Sequence, residues 1–213
     1  MGARGGSLRR PGEAIGPEAN LVEVRLHGRG GQGTVVASLM LARAAMLEGR
    51  SVQAFPEFGV ERRGAPVTAF LRIAGGPIHL RCKVYEPDHV LVLDPQLLPR
   101  VDLPARRAGW LVVNTPASPP AVDAAAPWRV ATVDAVRIAR ARGLGGGAFP
   151  FVNSPMAGAF ARVTGLVGLE SLCAAIRENA PSSAAANVAA ARDAWERVDM
   201  EQGRGRRLGA NLP

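Results

Sequence analysis

The pattern of apolar and polar residues predicts that strands and helices alternate along most of the chain. Residues 21–27 alternate strictly, with apolar side chains on one side of a strand and charged side chains on the other. Residues 34–48 carry apolar positions at helical spacing, and Gly49 is a natural helix stop. The glycine-rich segment 28–33 lies between them, so the sequence predicts a loop that joins a first strand to a first helix.

Short apolar runs bounded by turn residues predict further strands. These runs cover residues 51–55, 67–73, 78–81, 89–93, 110–113 and 129–133. The glycines at 75 and 76 predict a hairpin that joins 67–73 to 78–81. The run 89–93 is apolar apart from His89 and is followed by Asp94, which is typical of a buried parallel strand.

The last third of the sequence is predicted to be mainly helical. Asp134 can cap a helix over 135–142, and residues 143–150 are predicted to form a flexible loop. Ser154 is predicted to cap a helix that Gly165 ends, and two further apolar stripes follow. The stripes are Leu169, Leu172, Cys173 and Ile176, and then Val188, Ala191, Trp195 and Val198.

The order of these elements predicts an α/β protein. We expect a Rossmann-like, mostly parallel sheet with helices on both faces and a helical C-terminal third. Residues 21–200 are predicted to form one domain. Residues 1–20 are predicted to be a disordered basic extension, and residues 201–213 a flexible tail.

The segment 28–33 matches the pattern G-x-G-x-x-G in the context that phosphate binding requires, after a strand and before a helix. Free amides and the helix dipole favour an anion at such a helix start. The candidate ligand-binding residues are Gly28, Arg29, Gly30, Gly31, Gln32, Gly33 and Thr34. A dinucleotide site also needs an acid near the end of the second strand, whereas Glu57 lies beyond a proline. A tight turn that binds nothing is the alternative.

Composition narrows the possible partners. The 213 residues carry a net charge of +8, from 25 arginines and a single lysine against 18 acidic residues. The arginines are spread along the chain, and its 37 alanines show a similar skew, which favours compositional bias over a nucleic-acid surface. No apolar run could cross a membrane and no secretory leader is visible, so we expect a cytoplasmic protein with neither nucleic acid nor membrane as partner.

Candidate metal ligands are sparse. The chain has two cysteines, too few for an iron–sulfur cluster held by this chain alone. His79 and His89 have no further ligand at metal spacing. No catalytic Ser-His-Asp or Cys-His arrangement is visible, and the sequence predicts neither a catalytic residue nor a metal site.

Four blocks of sequence together resemble a known family. They are HGRGGQGTVVA at 27–37, AFPEFGVERRGAPVTAFLRI at 54–73, YEPDHVLVLDPQLL at 85–98 and VNSPMAGAFARVTGLVGLESL at 152–172. Their order and spacing closely resemble the gamma subunit of pyruvate (2-oxoacid):ferredoxin oxidoreductase, over about residues 21–198. The alternative is a free-standing Rossmann-type nucleotide-binding protein or NAD(P) oxidoreductase.

The resemblance implies a multi-subunit enzyme that converts a 2-oxoacid and coenzyme A (CoA) into acyl-CoA, carbon dioxide and reduced ferredoxin. It implies that thiamine diphosphate, magnesium and [4Fe–4S] clusters are held by alpha, beta and delta partner subunits, and that this chain alone is inactive. It also implies that residues 28–34 contact CoA, whose diphosphate and 3′-phosphate suit an anion-binding loop.

Three other features have two possible interpretations each, and the two cysteines have one each. Glu61, Arg62 and Arg63 are predicted to bind an anion or a partner subunit, or else to form an internal ionic network. His27 is predicted to be a hydrogen-bonded structural residue, with a proton relay as the alternative. Asn153, Ser154 and the small residues 157–159 predict close helix packing against another element, either inside the chain or at a subunit interface. Cys173 is predicted to be a core residue and Cys82 a free thiol.

Overall fold

A computed structural model describes residues 20–57, 64–104, 108–116, 128–146, 149–180 and 183–201. The strands are Val22–Arg29 (β1), Ser51–Glu57 (β2), Pro66–Ala74 (β3), His89–Val92 (β4), Trp110–Asn114 (β5), Arg129–Val133 (β6), Gly145–Gly146 (β7), Phe149–Pro150 (β8) and Asp199–Glu201 (β9). The α-helices are Thr34–Leu47 (α1), Ala135–Ala141 (α2), Asn153–Thr164 (α3), Leu169–Asn179 (α4) and Ala184–Arg197 (α5). A 3₁₀ helix spans Pro95–Arg100.

Seven strands form one mixed sheet in the order β2-β3-β1-β4-β5-β6-β9. The four strands β1, β4, β5 and β6 run parallel to one another, whereas β3, β2 and β9 pair antiparallel at the two sides. The predicted α/β class, the mostly parallel sheet and the helical C-terminal third are confirmed.

The α-helices of the described residues pack on one face of the sheet. Alternate residues of β1, such as Val24 and Leu26, join residues from all five helices in one continuous core. The opposite face of β4 and β5 is covered by a smaller cluster that includes Val92 and Leu98 of the 3₁₀ helix. We predicted α-helices on both faces, whereas among the described residues the second face carries only the 3₁₀ helix. The segment between β4 and β5 contains Pro95 and Pro99, which favour a short 3₁₀ turn over an α-helix.

Two local predictions were wrong. Residues 77–81 form no strand, because both edges of β3 are already paired, with β1 and with β2, so a hairpin partner has no place. Ser154 does not cap α3, which begins at Asn153. The Ser154 hydroxyl is buried and donates to Oδ1 of Asn187 on α5, at 2.7 Å.

Three residues that were predicted to begin or end helices are confirmed in that role. The side chain of Asp134 caps α2 by accepting from the amide of Arg137. Gly49 and Gly165, which follow α1 and α3, have φ angles of +76° and +65°, the left-handed conformation that glycine favours. In contrast, the segment 143–150, predicted to be a flexible loop, contains two short strands, β7 and β8, that pair antiparallel. The tails were predicted at 1–20 and 201–213. Residues 1–19 and 202–213 lie outside the described residues, whereas Glu201 belongs to β9 and not to a tail.

Candidate functional site

The glycine segment lies at the carboxyl end of β1, next to the carboxyl end of β4. From β1 the chain continues into α1 on one face of the sheet, and from β4 it continues into the 3₁₀ helix on the other face. Neighbouring parallel strands whose connections leave in opposite directions open a crevice between them, and α/β proteins bind ligands in that crevice. The predicted loop therefore occupies the place in the fold where a ligand is expected.

The first glycine of the motif is a strand residue. Gly28 and Arg29 are the last residues of β1 and pair with Val67 and Pro66 of β3. A Cβ atom on Gly28 would lie 2.2 Å from Oγ1 of Thr34. The absence of a side chain at Gly28 therefore lets the first residue of α1 pack onto the strand.

The turn itself spans residues 30–33. Gly31 and Gly33 have φ angles of +99° and +83°, which disfavour any residue with a side chain. A Cβ on Gly33 would come within 2.9 Å of the Asn153 side chain, so Gly33 also lets the start of α1 pack against the start of α3. Close packing accounts for Gly28 and Gly33, while Gly31 has open space beside it.

Arg29 is already paired within the chain. Its Nε donates to Oδ2 of Asp94 at 2.7 Å, and Nη1 donates to the carbonyl of Gly64 at 3.2 Å. Asp94 also caps the 3₁₀ helix, and Oε1 of Gln32 accepts from the Arg29 amide at 2.8 Å. An anion that approaches Arg29 therefore meets a guanidinium whose charge is balanced by a neighbouring carboxylate.

A pocket of about 420 Å³ opens beside the loop. Its wall combines the turn and the first residues of α1 with Val67 of β3 and with Phe151 and Asn153 from the start of α3. No side chain caps the N-terminus of α1, and its first turn carries no acidic residue. The amides of Thr34, Val35 and Val36 have no acceptor within the helix, so this end attracts negative charge.

Two buried polar atoms in this wall have no partner. Thr34 is 2% exposed, and neither its Oγ1 atom nor Oδ1 of Asn153 has a hydrogen-bond partner. Sequence reasoning included Thr34 but missed Asn153 as a site residue, because the sequence does not reveal that α3 begins against the glycine turn. An asparagine at the start of a predicted helix was the available signal.

His27 is a neutral hydrogen-bond acceptor in this structure. Burial, together with the neighbouring Arg25, lowers the pKa of His27 from 6.5 to about 4. Nε of Arg25 donates to Nε2 of His27 at 3.1 Å. The structure thus supports the predicted hydrogen-bonded histidine over a proton relay, since a group with a pKa near 4 stays neutral around pH 7.

The charged segment that follows β2 lies largely outside the described residues. Glu61, Arg62 and Arg63 all belong to that part, so the predictions for them remain predictions. At its two ends, Glu57 pairs with Lys83, and the amide of Gly64 donates to the carbonyl of Gly30 at 3.2 Å. The segment therefore ends directly beside the glycine turn.

The remaining candidates have structural roles. The small residues 157–159 are buried, and a Cβ on Gly158 would lie 2.2 Å from the carbonyl oxygen of Ala191, so the close packing occurs inside the chain. Cys173 is fully buried, with its pKa raised by burial, and Cys82 is an exposed free thiol, as predicted.

The part of the chain that the structure describes offers neither a metal cluster nor a membrane span. No group of three or more His, Cys, Asp or Glu side chains in this part is placed to hold a metal ion. Among the same residues, no helix is long and apolar enough to cross a membrane.

Comparison with known proteins assigns the family. The model of the pyruvate ferredoxin/flavodoxin oxidoreductase family matches residues 23–197. The chain is 48% identical over 187 residues to the pyruvate/ketoisovalerate oxidoreductases common subunit gamma of Pyrococcus furiosus, covering 84% of this chain and 98% of the relative. It is 48% identical over 157 residues to pyruvate synthase subunit PorC of Methanosarcina barkeri, covering 73% and 84%.

The fold of this chain is also similar to the folds of solved proteins. Pyruvate oxidoreductase subunit PORC of Thermotoga maritima superimposes with a TM-score of 0.72 at 36% identity, over 86% of this chain and 99% of that chain. A 2-oxoglutarate:ferredoxin oxidoreductase from Magnetococcus marinus shares the fold, with a TM-score of 0.65 at 15% identity, over 83% of this chain and 31% of that chain.

The chain thus belongs to the pyruvate ferredoxin/flavodoxin oxidoreductase family, as a gamma subunit of a 2-oxoacid:ferredoxin oxidoreductase. It is a subunit of an oxidoreductase complex. The resemblance inferred from the four sequence blocks is confirmed, and the alternative of a free-standing NAD(P) oxidoreductase is not supported.

Proposed function

We propose that this subunit binds CoA through the glycine turn and the N-terminus of α1, and presents it to a reaction centre on partner subunits. The observation that carries the proposal is the pocket at the switch point of the sheet, bordered by the uncapped helix start. Free amides and a helix dipole suit the phosphates of CoA. The Magnetococcus marinus enzyme that shares this fold was solved with CoA bound.

The reaction that the complex would catalyse requires groups that this chain does not offer. A 2-oxoacid, CoA and two oxidised ferredoxins give acyl-CoA, carbon dioxide, two reduced ferredoxins and one proton. A [4Fe–4S] cluster needs four ligands, mostly thiolates, whereas this chain has one exposed and one buried cysteine. We therefore assign the clusters, thiamine diphosphate and magnesium to alpha, beta and delta partner subunits. Ferredoxin accepts the electrons from the complex, which we place in the cytoplasm.

The name of the Pyrococcus furiosus relative supports this division of labour. That protein is a common subunit of a pyruvate and a ketoisovalerate oxidoreductase. A subunit shared by two such enzymes fits a step that both reactions have in common, such as delivery of CoA, better than selection of the 2-oxoacid. We extend this to the present chain: 2-oxoacid specificity lies on the partner subunits.

A charge placed at the start of α1 tests the proposal. Val36 lies in the first turn and in the pocket wall. In Val36→Glu, a carboxylate is compatible with the helix N-terminus but repels phosphates. The Michaelis constant for CoA should rise about tenfold in the assembled complex, which corresponds to roughly 1.4 kcal/mol of charge repulsion. Val36→Gln is the matched neutral control.

Steady-state kinetics with CoA and pyruvate varied separately give the readout. Val36→Gln should keep a CoA constant near that of the native complex, and the constant for pyruvate should stay unchanged in both variants. Equal CoA constants for the two variants, in complexes of normal composition, would contradict CoA binding at this turn. The purified chain alone, assayed with pyruvate, CoA and a viologen dye, should give no turnover.

A further inference from the structure

The sheet ends on one side at β2, whose outer edge presents backbone groups that no strand pairs. Among the described residues, β2 is hydrogen-bonded to β3 alone. A proline lacks an N–H and is tolerated in a strand where its nitrogen faces an open edge, so Pro56 marks the outward direction. Every second residue shares that direction, and the N–H and C=O groups of Val52 and Ala54 therefore also face outward. The bond from the Gly30 amide to the Ala65 carbonyl, at the end of the β1–β3 pair, requires the same alternation in β3 and hence in β2.

The middle of this edge lacks the features that usually prevent strand pairing. Charged side chains and prolines protect an edge strand, but Pro56 lies near the end of β2, and Val52 and Ala54 are small and apolar. The strand has seven residues and is about 23 Å long at 3.3 Å per residue. The β2 edge is therefore suited to receive another extended strand.

An apolar groove lies beside the β2 edge. It has a volume of about 460 Å³, and Leu39 and Met46 of α1 line it together with Val52 and Ala54. Leu39 and Met46 are 43% and 51% exposed, so α1 carries an apolar stripe that faces away from the core. A contiguous exposed apolar surface marks a site of interaction with another protein.

We propose that the β2 edge and the α1 stripe bind a second copy of this chain, across a two-fold axis near Ala54. When β2 pairs antiparallel with its own copy, the amides of Val52 and Ala54 in each chain donate to carbonyls of the other chain. The two sheets become one, and the two α1 helices lie side by side on the same face of it. Leu39 and Met46 of one copy then pack against those of the other, as a self-complementary interface requires.

The charges beside β2 favour a second copy. The chain carries +8, but the charged residues that line the groove in the described part of the chain are Arg43 and Glu178, which pair with each other at 2.5 Å. Arg50 precedes β2 and Glu57 ends it, so antiparallel pairing brings Arg50 of one copy toward Glu57 of the other. A stable dimer buries about 800 Å² from each copy, which is more than a strand edge alone provides, so we expect α1 to contribute.

Sedimentation equilibrium of the purified full chain tests the proposal. The native chain should form a dimer with a dissociation constant on the order of 1 μM or tighter. Ala54→Pro removes the central outward N–H and leaves the bonds to β3 in place, so the dissociation constant should rise about tenfold or more. Ala54→Ser keeps the N–H and a small side chain, and should dimerise like the native chain.

A second variant tests the α1 stripe without changing the backbone. Met46→Glu places two carboxylates near the two-fold axis and should give a monomer with a native circular dichroism spectrum, because Met46 is exposed. Met200→Glu is the matched control: it makes the same exchange at an exposed methionine of β9, at the opposite side of the sheet, and should stay dimeric.

Cross-linking in the assembled complex distinguishes a second copy from a different subunit. With Cys82→Ser to remove the exposed thiol, Ala54→Cys treated with a short bifunctional maleimide should join two copies of this chain. A cross-link to a different subunit, a monomeric native chain, or unchanged dimers in both Ala54→Pro and Met46→Glu would overturn the proposal.

Discussion

The guanidinium of Arg29 and the carboxylate of Asp94 meet at 2.7 Å across the carboxyl ends of β1 and β4. Both side chains are largely shielded, with 29% and 11% of their surface exposed. The pair joins the glycine turn to the 3₁₀ helix, which lies on the opposite face of the sheet from α1. It also holds a positive charge beside the proposed CoA site while balancing it.

Substitutions at these two positions should change CoA affinity in opposite directions. Arg29→Ala removes the cation and leaves the Asp94 carboxylate unbalanced, so the Michaelis constant for CoA should rise about tenfold. Asp94→Asn frees the Arg29 charge and keeps an acceptor for the 3₁₀ cap, so the constant should fall. Steady-state kinetics of the assembled complex provide the measurement, and changes of the same sign in both variants would show that Arg29 does not face the substrate.

Gly28→Ala should destabilise the chain by about 2 kcal/mol, because its Cβ would lie 2.2 Å from Oγ1 of Thr34 and force α1 away from β1. Denaturant unfolding of the full chain measures the loss. Gly75→Ala is the control, since nothing lies within 4 Å of its added Cβ.

A second substitution identifies the cause of the Gly28 effect. Thr34→Ala removes the hydroxyl that the new methyl group would strike, so the double variant Gly28→Ala/Thr34→Ala should lose less stability than the sum of the two single variants. Strict additivity would contradict the close packing of Thr34 on the strand.

Much of the fold can be predicted from the sequence because the local apolar patterns and glycine positions agree with the tertiary packing. The alternation before Gly28 gives β1, and the positive φ of Gly49 ends α1 where the apolar pattern stops. The apolar run at 89–93 is buried on both sides: Leu91 belongs to the helix-side core and Val92 to the opposite cluster. Hydrophobic periodicity and burial determine these elements, and both can be inferred from a single sequence.

The candidate site is harder to predict from the sequence because it depends on contacts between segments that are distant in the chain. The sequence indicates an anion-binding turn at residues 28–34, but not that Asp94 neutralises Arg29 or that Asn153 lies against Gly33. Ser154 shows the same limit: a serine before a proline predicts a helix cap, yet its hydroxyl is satisfied by Asn187 on another helix.

Gly158→Ala should be more damaging than Gly28→Ala, although both add a single methyl group. The Cβ at position 158 would lie 2.2 Å from the carbonyl oxygen of Ala191, a backbone atom of α5 that cannot rotate away. We expect a loss of about 3 kcal/mol or more in unfolding free energy, or an insoluble chain. A native-like unfolding curve would show that α3 and α5 separate easily, contrary to their close packing at Gly158.

Acid should destabilise the chain through His27. Its folded-state pKa of about 4 lies below the ordinary value of 6.5, so between these values the unfolded chain binds a proton that the folded chain does not. The contribution of His27 to stability is therefore constant above pH 6.5 and falls as the pH drops from 6.5 toward 4, by about 3 kcal/mol in total. Denaturant unfolding at half-unit pH intervals measures this slope.

The substitution His27→Gln keeps a hydrogen-bond acceptor for Arg25 but cannot titrate, so it should flatten the stability profile between pH 4 and pH 6.5. His79→Gln serves as the control for the same exchange at an exposed position. Other groups add their own acid dependence, so the informative quantity is the difference between the native and His27→Gln profiles. A difference that stays constant with pH would show that folding does not lower the pKa of His27, contrary to its role as a neutral acceptor for Arg25.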